Sequence, residues 1–337
     1  MIRIAVIGLG YWGPNLVRNF MDAEGATVAA CCDLDPRRLE RLCRRFPTIR
    51  AETSFDAVLA DQAVDAVAIA TPVGTHYELA KRALLAGKHV LVEKPLTARV
   101  DHAEELIELA DKDGRVLMVD HVFVHHPAVA KVKEIVDSGR LGRLWFIDSV
   151  RINLGLFQSD VNVVWDLAPH DLSIVDHLVG RLPRSVSAFG AAHVNPDIED
   201  VAYLNLDYGD GLVANFHVNW LSPVKVRSLI LGGSEQSLIY NDLDNSEKIK
   251  VYNRGVEIGA DLESRRKVLV NYRSGDVWSP NLPNEGALAR VAADFVASIR
   301  GGRRPLTDGQ AGWRVVRILD AAQRSIQAAG WRVGLSN

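Results

Sequence analysis

Ile2-Arg3-Ile4-Ala5-Val6-Ile7-Gly8-Leu9-Gly10-Tyr11-Trp12-Gly13-Pro14 decides the fold. A short β-branched run, Ile2–Ile7, ends in a glycine turn, and Pro14–Met21 then spaces its apolar residues at three and four, so the order is strand, turn, helix. Three glycines in a GxGxxG pattern say little alone, but between a strand and a helix they make a dinucleotide-binding turn. Gly8 permits the tight turn, Gly10 lets the backbone approach a pyrophosphate, and Gly13 lets the helix pack on the strand. Free N–H groups at the helix start attract the phosphates. Tyr11 and Trp12 ride on the same turn and join the candidate cofactor site.

Outward from this turn, the chain to about residue 120 keeps alternating short β-branched runs with amphipathic ones. Thr27–Cys32, Ala66–Ile69, His89–Val92 and Val116–Val119 read as strands, and Pro36–Phe46, His76–Ala86 and Val100–Lys112 as the helices between them. That alternation predicts a doubly wound parallel sheet, a Rossmann domain over residues 1–120. After it the texture changes. Pro127–Ser138 reads as a helix opened by proline. Leu144–Leu154, Ser185–Ala192, Ala202–Asp207, Val213–Asn219, Lys225–Leu231 and Ser237–Tyr240 then follow as strands with one helix, from about Asp166 to Val179, among them. Few helices between strands favour antiparallel pairing. The second domain, residues 121–337, is therefore expected to be α/β, built on an open, mostly antiparallel sheet. Asp242–Ser279 is polar and turn-rich, and is expected to contain an irregular segment. Two helices, Glu285–Arg300 and Gly309–Ala328, close the chain, and packing of these helices back on the first domain is the alternative left open.

Composition bounds the partners. Hydrophobic residues at 48% and charged residues at 24% exclude a disordered or fibrous chain. The 39 basic and 42 acidic residues are spread evenly and leave a net charge of −3, so no basic block exists to neutralise a run of phosphates and nucleic acid is not an expected partner. Arg37, Arg38, Arg41, Arg44 and Arg45 cluster beside Glu40 as a solvated helix face. Three cysteines, Cys31, Cys32 and Cys43, form neither a disulfide framework nor a CxxC site. Met1 runs directly into the first strand, and no stretch approaches the ~20 apolar residues of a membrane span, so a cytoplasmic protein with no membrane partner is expected.

Asp33 ends the second strand about 20 residues after Gly13, where a carboxylate accepts hydrogen bonds from the adenosine ribose hydroxyls and repels a 2′-phosphate. NAD is favoured over NADP on that ground, although Arg37 or Arg38 offers a phosphate a cationic neighbour. Ala70-Thr71-Pro72-Val73-Gly74-Thr75-His76 lies at the carboxyl edge of the sheet, and Thr71, Pro72, Thr75 and His76 are assigned to the nicotinamide half of the cofactor. Thr75 is also a good N-cap for the following helix.

Glu93-Lys94-Pro95 follows the His89–Val92 strand at the same edge. Most lysines are solvated charges, but one locked between an apolar strand and a proline presents its ammonium to a reacting hydroxyl or carbonyl oxygen. In Trp165-Asp166-Leu167-Ala168-Pro169-His170-Asp171, Asp166 and His170 stand four apart and share a helix face. A carboxylate beside an imidazole raises its basicity, which suits His170 to proton transfer; the bland alternative is a capping aspartate and a buried histidine. Pro169 suggests an irregular first turn.

In this order and at these separations, the glycine turn, the Glu93-Lys94-Pro95 step and the Asp166/His170 pair resemble the glucose-fructose oxidoreductase, inositol dehydrogenase and rhizopine catabolism (Gfo/Idh/MocA) family over nearly the whole chain. The resemblance implies a Rossmann domain joined to an α/β domain whose open sheet forms an oligomer interface, so a homodimer or homotetramer is expected. It also implies that Lys94 and Glu93 lie beside the cofactor, that Lys94 binds the reacting oxygen, that His170 is the acid/base, and that Asp166 assists as substrate ligand or as partner of His170. Gly10-Tyr11-Trp12-Gly13-Pro14-Asn15, Arg18-Asn19-Phe20, Phe123-to-Val129 and Asn219-Trp220-Leu221-Ser222-Pro223 look most like members of the UDP-N-acetylglucosamine 3-dehydrogenase type. His125-His126-Pro127 departs from the Tyr-Asn-Pro step of such relatives and places His125 among the residues that set the substrate.

Arg151, Asn153 and Lys225 are candidates for contacts to a charged substrate, and Trp165 for packing on a sugar; exposed strand residues and core aromatics are the competing readings. His121, His125 and His126 do not have the spacing of a metal site before Pro127, and hydride transfer to a nicotinamide needs no metal. A free-sugar or inositol dehydrogenase shares all of this chemistry. A non-enzymatic NAD sensor would not need Lys94, Asp166 and His170 together.

Overall fold

A central strand, β1 (Ile2–Ile7), pairs in parallel with β2 (Ala26–Cys32) on one side and with β4 (Ala66–Ile69) on the other. β3 (Arg50–Glu52), β5 (His89–Glu93) and β6 (Leu117–Asp120) complete a six-stranded sheet in the order β3-β2-β1-β4-β5-β6. The strand order reverses between β1 and β4, and ligands of such sheets bind outside the carboxyl ends at that switch point. The crossovers are α1 (Gly13–Asp22), α2 (Pro36–Arg45), α3 (Phe55–Ala60), α4 (His76–Leu85) and α5 (Val100–Lys112). The expected Rossmann sheet is therefore present. β3 and α3 were not anticipated, being too short for either periodicity to register; Ser54 caps α3 by accepting from the Ala57 N–H at 3.4 Å.

The computed structural model describes residues 1–155, 157, 158, 160–253, 255–257, 271–273 and 275–335. By their contacts they fall into two units, Met1–His126 with Glu285–Asp320, and Pro127–Asn284 with Ala321–Asn337. In the first, the core is a wholly apolar cluster in which Ile4, Val6, Ala68, Leu91 and Met118 of the sheet pack with Leu16, Phe20 and Phe295. Phe295 belongs to the helix Ala287–Gly301, and its ring meets that of Phe20 at 6.0 Å between centroids. Each such ring removed from water contributes about 1.5–3 kcal/mol.

The second unit carries α6 (Pro127–Asp137), β7 (Leu144–Leu154), α7 (Val163–Val179), β8 (Ser185–Ala191), β9 (Val201–Asp207), β10 (Val213–Asn219), β11 (Leu221–Gly233), β12 (Ser237–Asn241) and β13 (Ile249–Tyr252). β14 (Gly255–Glu257) and β15 (Asn271–Arg273) form a separate pair, and β16 (Val277–Trp278) and β17 (Val333–Gly334) are the outermost strands of a nine-stranded sheet. Its order is β16-β13-β12-β11-β7-β10-β9-β8-β17. All neighbours are antiparallel except β7 and β10, as the mostly antiparallel expectation requires. Along β9 and β10 buried and exposed residues alternate, which leaves one face covered and one open. The irregular segment expected within Asp242–Ser279 lies partly outside the described residues; what is described there includes β13 and β16.

One boundary needs correction. The helix expected from Asp166 starts at Val163, because Asn162 caps it: its side-chain oxygen accepts from the N–H groups of Val164 and Trp165, both at 3.1 Å. Pro169 then falls inside the helix, not in an irregular first turn, and the helix continues to a left-handed Gly180 (φ 74°). No helix among the described residues is long and apolar enough to cross a membrane.

Candidate active site

The glycine turn is built around Gly8, whose φ of +89° suits only glycine and whose missing Cβ would stand 2.7 Å from the Ala70 carbonyl oxygen. A Cβ on Gly13 would overlap the Gly8 carbonyl oxygen, so the helix start lies hard against the turn. Gly10 differs: beyond its two chain neighbours, none of the described residues comes within 4 Å of its Cβ position. The protein itself does not require glycine there, and the open space suits a close backbone approach by a cofactor. No side chain caps α1, whose flanking residue Trp12 is followed by Gly13 and Pro14.

Asp33, 8% exposed at the end of β2, ties this turn to the neighbouring strand by accepting from the Leu9 N–H at 2.6 Å and the Asp35 N–H at 2.8 Å. Arg38 reaches the same carboxylate at 3.5 Å. Asp35 caps α2 through the Arg37 N–H, and the Arg37 guanidinium folds onto Asp35 at 3.1 Å on the exposed surface. Of the two arginines named from the sequence, Arg38 is the one beside the ribose-binding candidate. Tyr11 is 88% exposed and stacks on Trp12 at 6.3 Å between centroids.

In the loop after β4, Thr75 bonds the Thr71 hydroxyl at 2.7 Å and the Pro72 carbonyl at 2.8 Å, and it does not cap α4. The expected N-cap is thus corrected: a 3-10 turn over Val73–Thr75 draws the hydroxyl back into the loop. His76 is 1% exposed, with its ring nitrogens 2.9 Å from the Pro95 carbonyl oxygen and 2.8 Å from that of Thr71. It joins the loop after β4 to the Glu93-Lys94-Pro95 loop after β5, where the Lys94–Pro95 peptide is cis.

β5 and β6 end side by side with Glu93 opposite Asp120. Glu93 Oε2 accepts from the Lys94 N–H at 3.0 Å, and the 1% exposed Asp120 accepts from Trp12 Nε1 at 3.0 Å. The glycine turn and the Lys94 loop are thereby tied to the same pair of strand ends. Sequence reasoning missed Asp120 in this role; its signal was a lone acid closing the apolar run Leu117-Met118-Val119. His121 is buried next to it, and burial first, then the charges of His125, Lys94 and Arg314, push its imidazole down to about 3, so it is neutral at pH 7. His125 is 5% exposed, 3.2 Å from the Thr307 hydroxyl. Among the described residues no group of three or more His, Cys, Asp or Glu side chains could hold a metal ion.

In the second unit, Asp166 and His170 lie one turn apart on α7. Trp220, 1% exposed in the core, donates its Nε1–H to Asp166 Oδ2 at 3.1 Å and so orients the carboxylate. Trp165 is half-buried on the same helix. Arg151 is 3% exposed and grips Asp171 through two bonds of 2.9 and 2.8 Å, fastening α7 to β7. Asn153 is partly buried further along β7, with its amide nitrogen 2.8 Å from the Cβ position of Gly155, and Lys225 is exposed on β11.

A family profile described as "Oxidoreductase family, NAD-binding Rossmann fold" matches residues 2–121, and one described as "GFO/IDH/MocA C-terminal domain" matches residues 129–239. UDP-N-acetylglucosamine 3-dehydrogenase of Acidithiobacillus ferrooxidans is 30% identical over 333 residues, covering 97% of this chain and 98% of the relative. Its solved structure superposes with a TM-score of 0.82 at 28% identity, again over 97% and 98% of the two chains. The NADP-linked scyllo-inositol 2-dehydrogenase of Bacillus subtilis is 28% identical over 96% of this chain and 93% of its own. Levoglucosan dehydrogenase, solved with NADH and levoglucosan, shares the fold over the full length of both chains with a TM-score of 0.83 at 20% identity.

Proposed function

The chain belongs to the Gfo/Idh/MocA oxidoreductase family, and we propose that it is an NAD-linked dehydrogenase oxidising a sugar secondary alcohol, specifically C3 of a UDP-amino sugar such as UDP-N-acetylglucosamine. The observation that carries this reading is the end-to-end likeness to a UDP-N-acetylglucosamine 3-dehydrogenase, with both coverages above nine-tenths. It is supported by the ties among the glycine turn, Asp120, Glu93 and the Lys94 loop, and by the orientation of Asp166 beside His170 on α7.

The residues present suit the cofactor. Gly10 would leave room for its backbone approach, the start of α1 would attract its phosphates, and Asp33 would offer its ribose hydroxyls an acceptor and repel a 2′-phosphate. NAD, when bound there, supplies the hydride acceptor. In the proposed step the Lys94 ammonium donates to the reacting oxygen, the His170 imidazole takes the hydroxyl proton, and Asp166 stabilises the imidazolium that forms. The carbon loses hydride as the oxygen loses its proton, and a ketone remains. Arg151, Asn153, Lys225, Trp165 and His125 were named as substrate contacts; Lys225 is the exposed cation among them and is proposed to meet the charged half of the substrate. The open face of the nine-stranded sheet, with Phe189 58% and Tyr203 50% exposed, is proposed to pair two copies.

A second reading, an inositol or free-sugar dehydrogenase, draws on the full-length likeness to scyllo-inositol 2-dehydrogenase. NADH absorbance separates the two. Purified protein with NAD, and with NADP in parallel, is offered UDP-N-acetylglucosamine, its uronic acid, myo-inositol and glucose. A signal with a UDP-sugar alone is the expected result. A signal with inositol or glucose moves the protein to the second reading, and silence with all four in both directions favours a cofactor sensor.

A further inference from the structure

Four polar atoms at the ends of β5 and β6 are shut off from solvent and accept or donate no hydrogen bond to any N–H, hydroxyl or carbonyl among the described residues: Glu93 Oε1, Asp120 Oδ1 and both ring nitrogens of His121. Two of them belong to carboxyl groups that face each other across a parallel strand pair. Each carboxyl group already has its other oxygen occupied, Glu93 Oε2 by the Lys94 N–H and Asp120 Oδ2 by Trp12 Nε1. Two ionised carboxylates in this position would leave two lone-pair oxygens buried against one another, which repel and satisfy nothing. A single proton between Oε1 and Oδ1 satisfies both.

We propose that Glu93 and Asp120 share one proton, and that the resulting pair acts as a positioning device holding Trp12 of the cofactor turn and the backbone of Lys94 in fixed relation. Neither residue needs to touch the reacting atoms. The proton resides on Glu93: burial first, then the adjacent Asp120 charge, push its carboxyl well above the ordinary carboxylate range, whereas burial raises the Asp120 carboxyl less, because the bonds from Trp12 and Glu93 favour its charged form. The charged and titratable groups around the pair are consistent with this assignment. Lys94 is a cation on the loop leaving β5 and lowers the Glu93 carboxyl only in part; His121, next along from Asp120, is neutral, with His125 and Arg314 beyond it. The inference rests on reading the Gly8–Gly13 turn as the dinucleotide site.

Loss of the shared proton at alkaline pH would set two like charges in contact, part β5 from β6 at their ends, and loosen the turn that Trp12 anchors. The dissociation constant for NAD is therefore expected to rise with pH, by up to about tenfold per pH unit above the titration of the pair. Stability should follow the same sign. A carboxyl whose folded pKa lies above its unfolded value contributes stability that is full below the unfolded value and is lost as pH rises through the folded one. In Glu93→Gln the amide N–H replaces the shared proton permanently, so both dependences on pH should flatten. In Asp120→Asn the donor and acceptor exchange places and the same flattening is expected.

The experiment is infrared difference spectroscopy of the purified protein against Glu93→Gln and Asp120→Asn from pH 6 to 10, with NAD binding by calorimetry and urea unfolding on the same samples. A protonated-carboxyl band that is present at pH 7 in the wild type, absent from both variants and lost in step with NAD affinity is the expected result. Absence of that band at pH 7, or pH profiles that are identical in wild type and variants, overturns the proposal. Neither NAD nor NADP binding at any pH would sink the dinucleotide-site reading, whereas the infrared band still tests the pair.

Discussion

In the first unit the candidate chemistry hangs from the ends of adjacent parallel strands: Asp33 after β2, the Thr71–His76 loop after β4, Glu93 and Lys94 at β5, and Asp120 at β6. In the second it rides on one helix, with Asp166 and His170 a turn apart on α7. Strand ends inherit their positions from the ladder, so the glycine turn and the Lys94 loop are held by backbone pairing and by a few bonds such as Trp12 to Asp120. A helix inherits only the spacing of its own residues, and must be clamped by its neighbours before that spacing points anywhere useful. Asn162 fixes where α7 starts, Arg151 fastens it to β7, and Trp220 turns the Asp166 carboxylate. The first arrangement is written mostly in local sequence, the second in contacts between distant residues.

The largest effect should come from the groups proposed to do the chemistry. Lys94→Ala and His170→Ala are each expected to lower kcat by about 10²–10⁴, the range for loss of a positioned acid/base or donor, while NAD binding measured by calorimetry stays nearly unchanged. The comparison breaks if Lys94→Ala loses cofactor affinity and turnover in equal measure. The strand-end unit would then be a cofactor platform alone, and the reacting oxygen would be handled entirely from the second unit.

Next in size is Arg151→Ala. Its guanidinium and the Asp171 carboxylate are 3% and 6% exposed, and removing one partner leaves the other charge buried and unpaired, at about 3–5 kcal/mol in urea unfolding. Replacing both residues with Met and Leu should recover most of that loss. An unchanged midpoint together with a raised KM would return Arg151 to the role of substrate contact and remove one clamp from α7.

What the sequence made legible follows the same division. Gly8, Gly13 and Asp33 were readable because turn, helix start and carboxylate are fixed by residues close in the chain, and the structure shows the two glycines packed as that reading needs. The Glu93/Asp120 pair was not, since it depends on the register between β5 and β6, which no short-range pattern states. Pro169 misled because proline marks first turns more often than helix interiors, and it drew attention from Asn162, whose place before Val163-Val164 was a visible capping signal. Arg151 read as a candidate contact to a charged substrate because nothing near it in the chain announces Asp171, its partner on α7, and Thr75 read as a cap until the Thr71 hydroxyl claimed it.

The smallest and most discriminating effect is expected from Trp220→Phe. The ring keeps its packing in the core, including the edge contact with Phe157 at 5.6 Å between centroids, but the N–H that orients Asp166 is lost. A hydrogen bond to a charged group contributes about 1.5–3 kcal/mol, part of which solvent or a rotated carboxylate recovers, so kcat should fall by roughly tenfold and unfolding should change little beyond that one bond. If Asp166 assists His170, kcat should fall and the acid limb of the pH profile should move to lower pH, because a poorly oriented carboxylate stabilises the imidazolium less. If Asp166 only binds substrate, KM should rise and the pH profile should stay where it is. Either result locates the second unit's chemistry in a contact between residues 54 positions apart, a separation that explains why a helix-borne site is harder to read than a strand-end one.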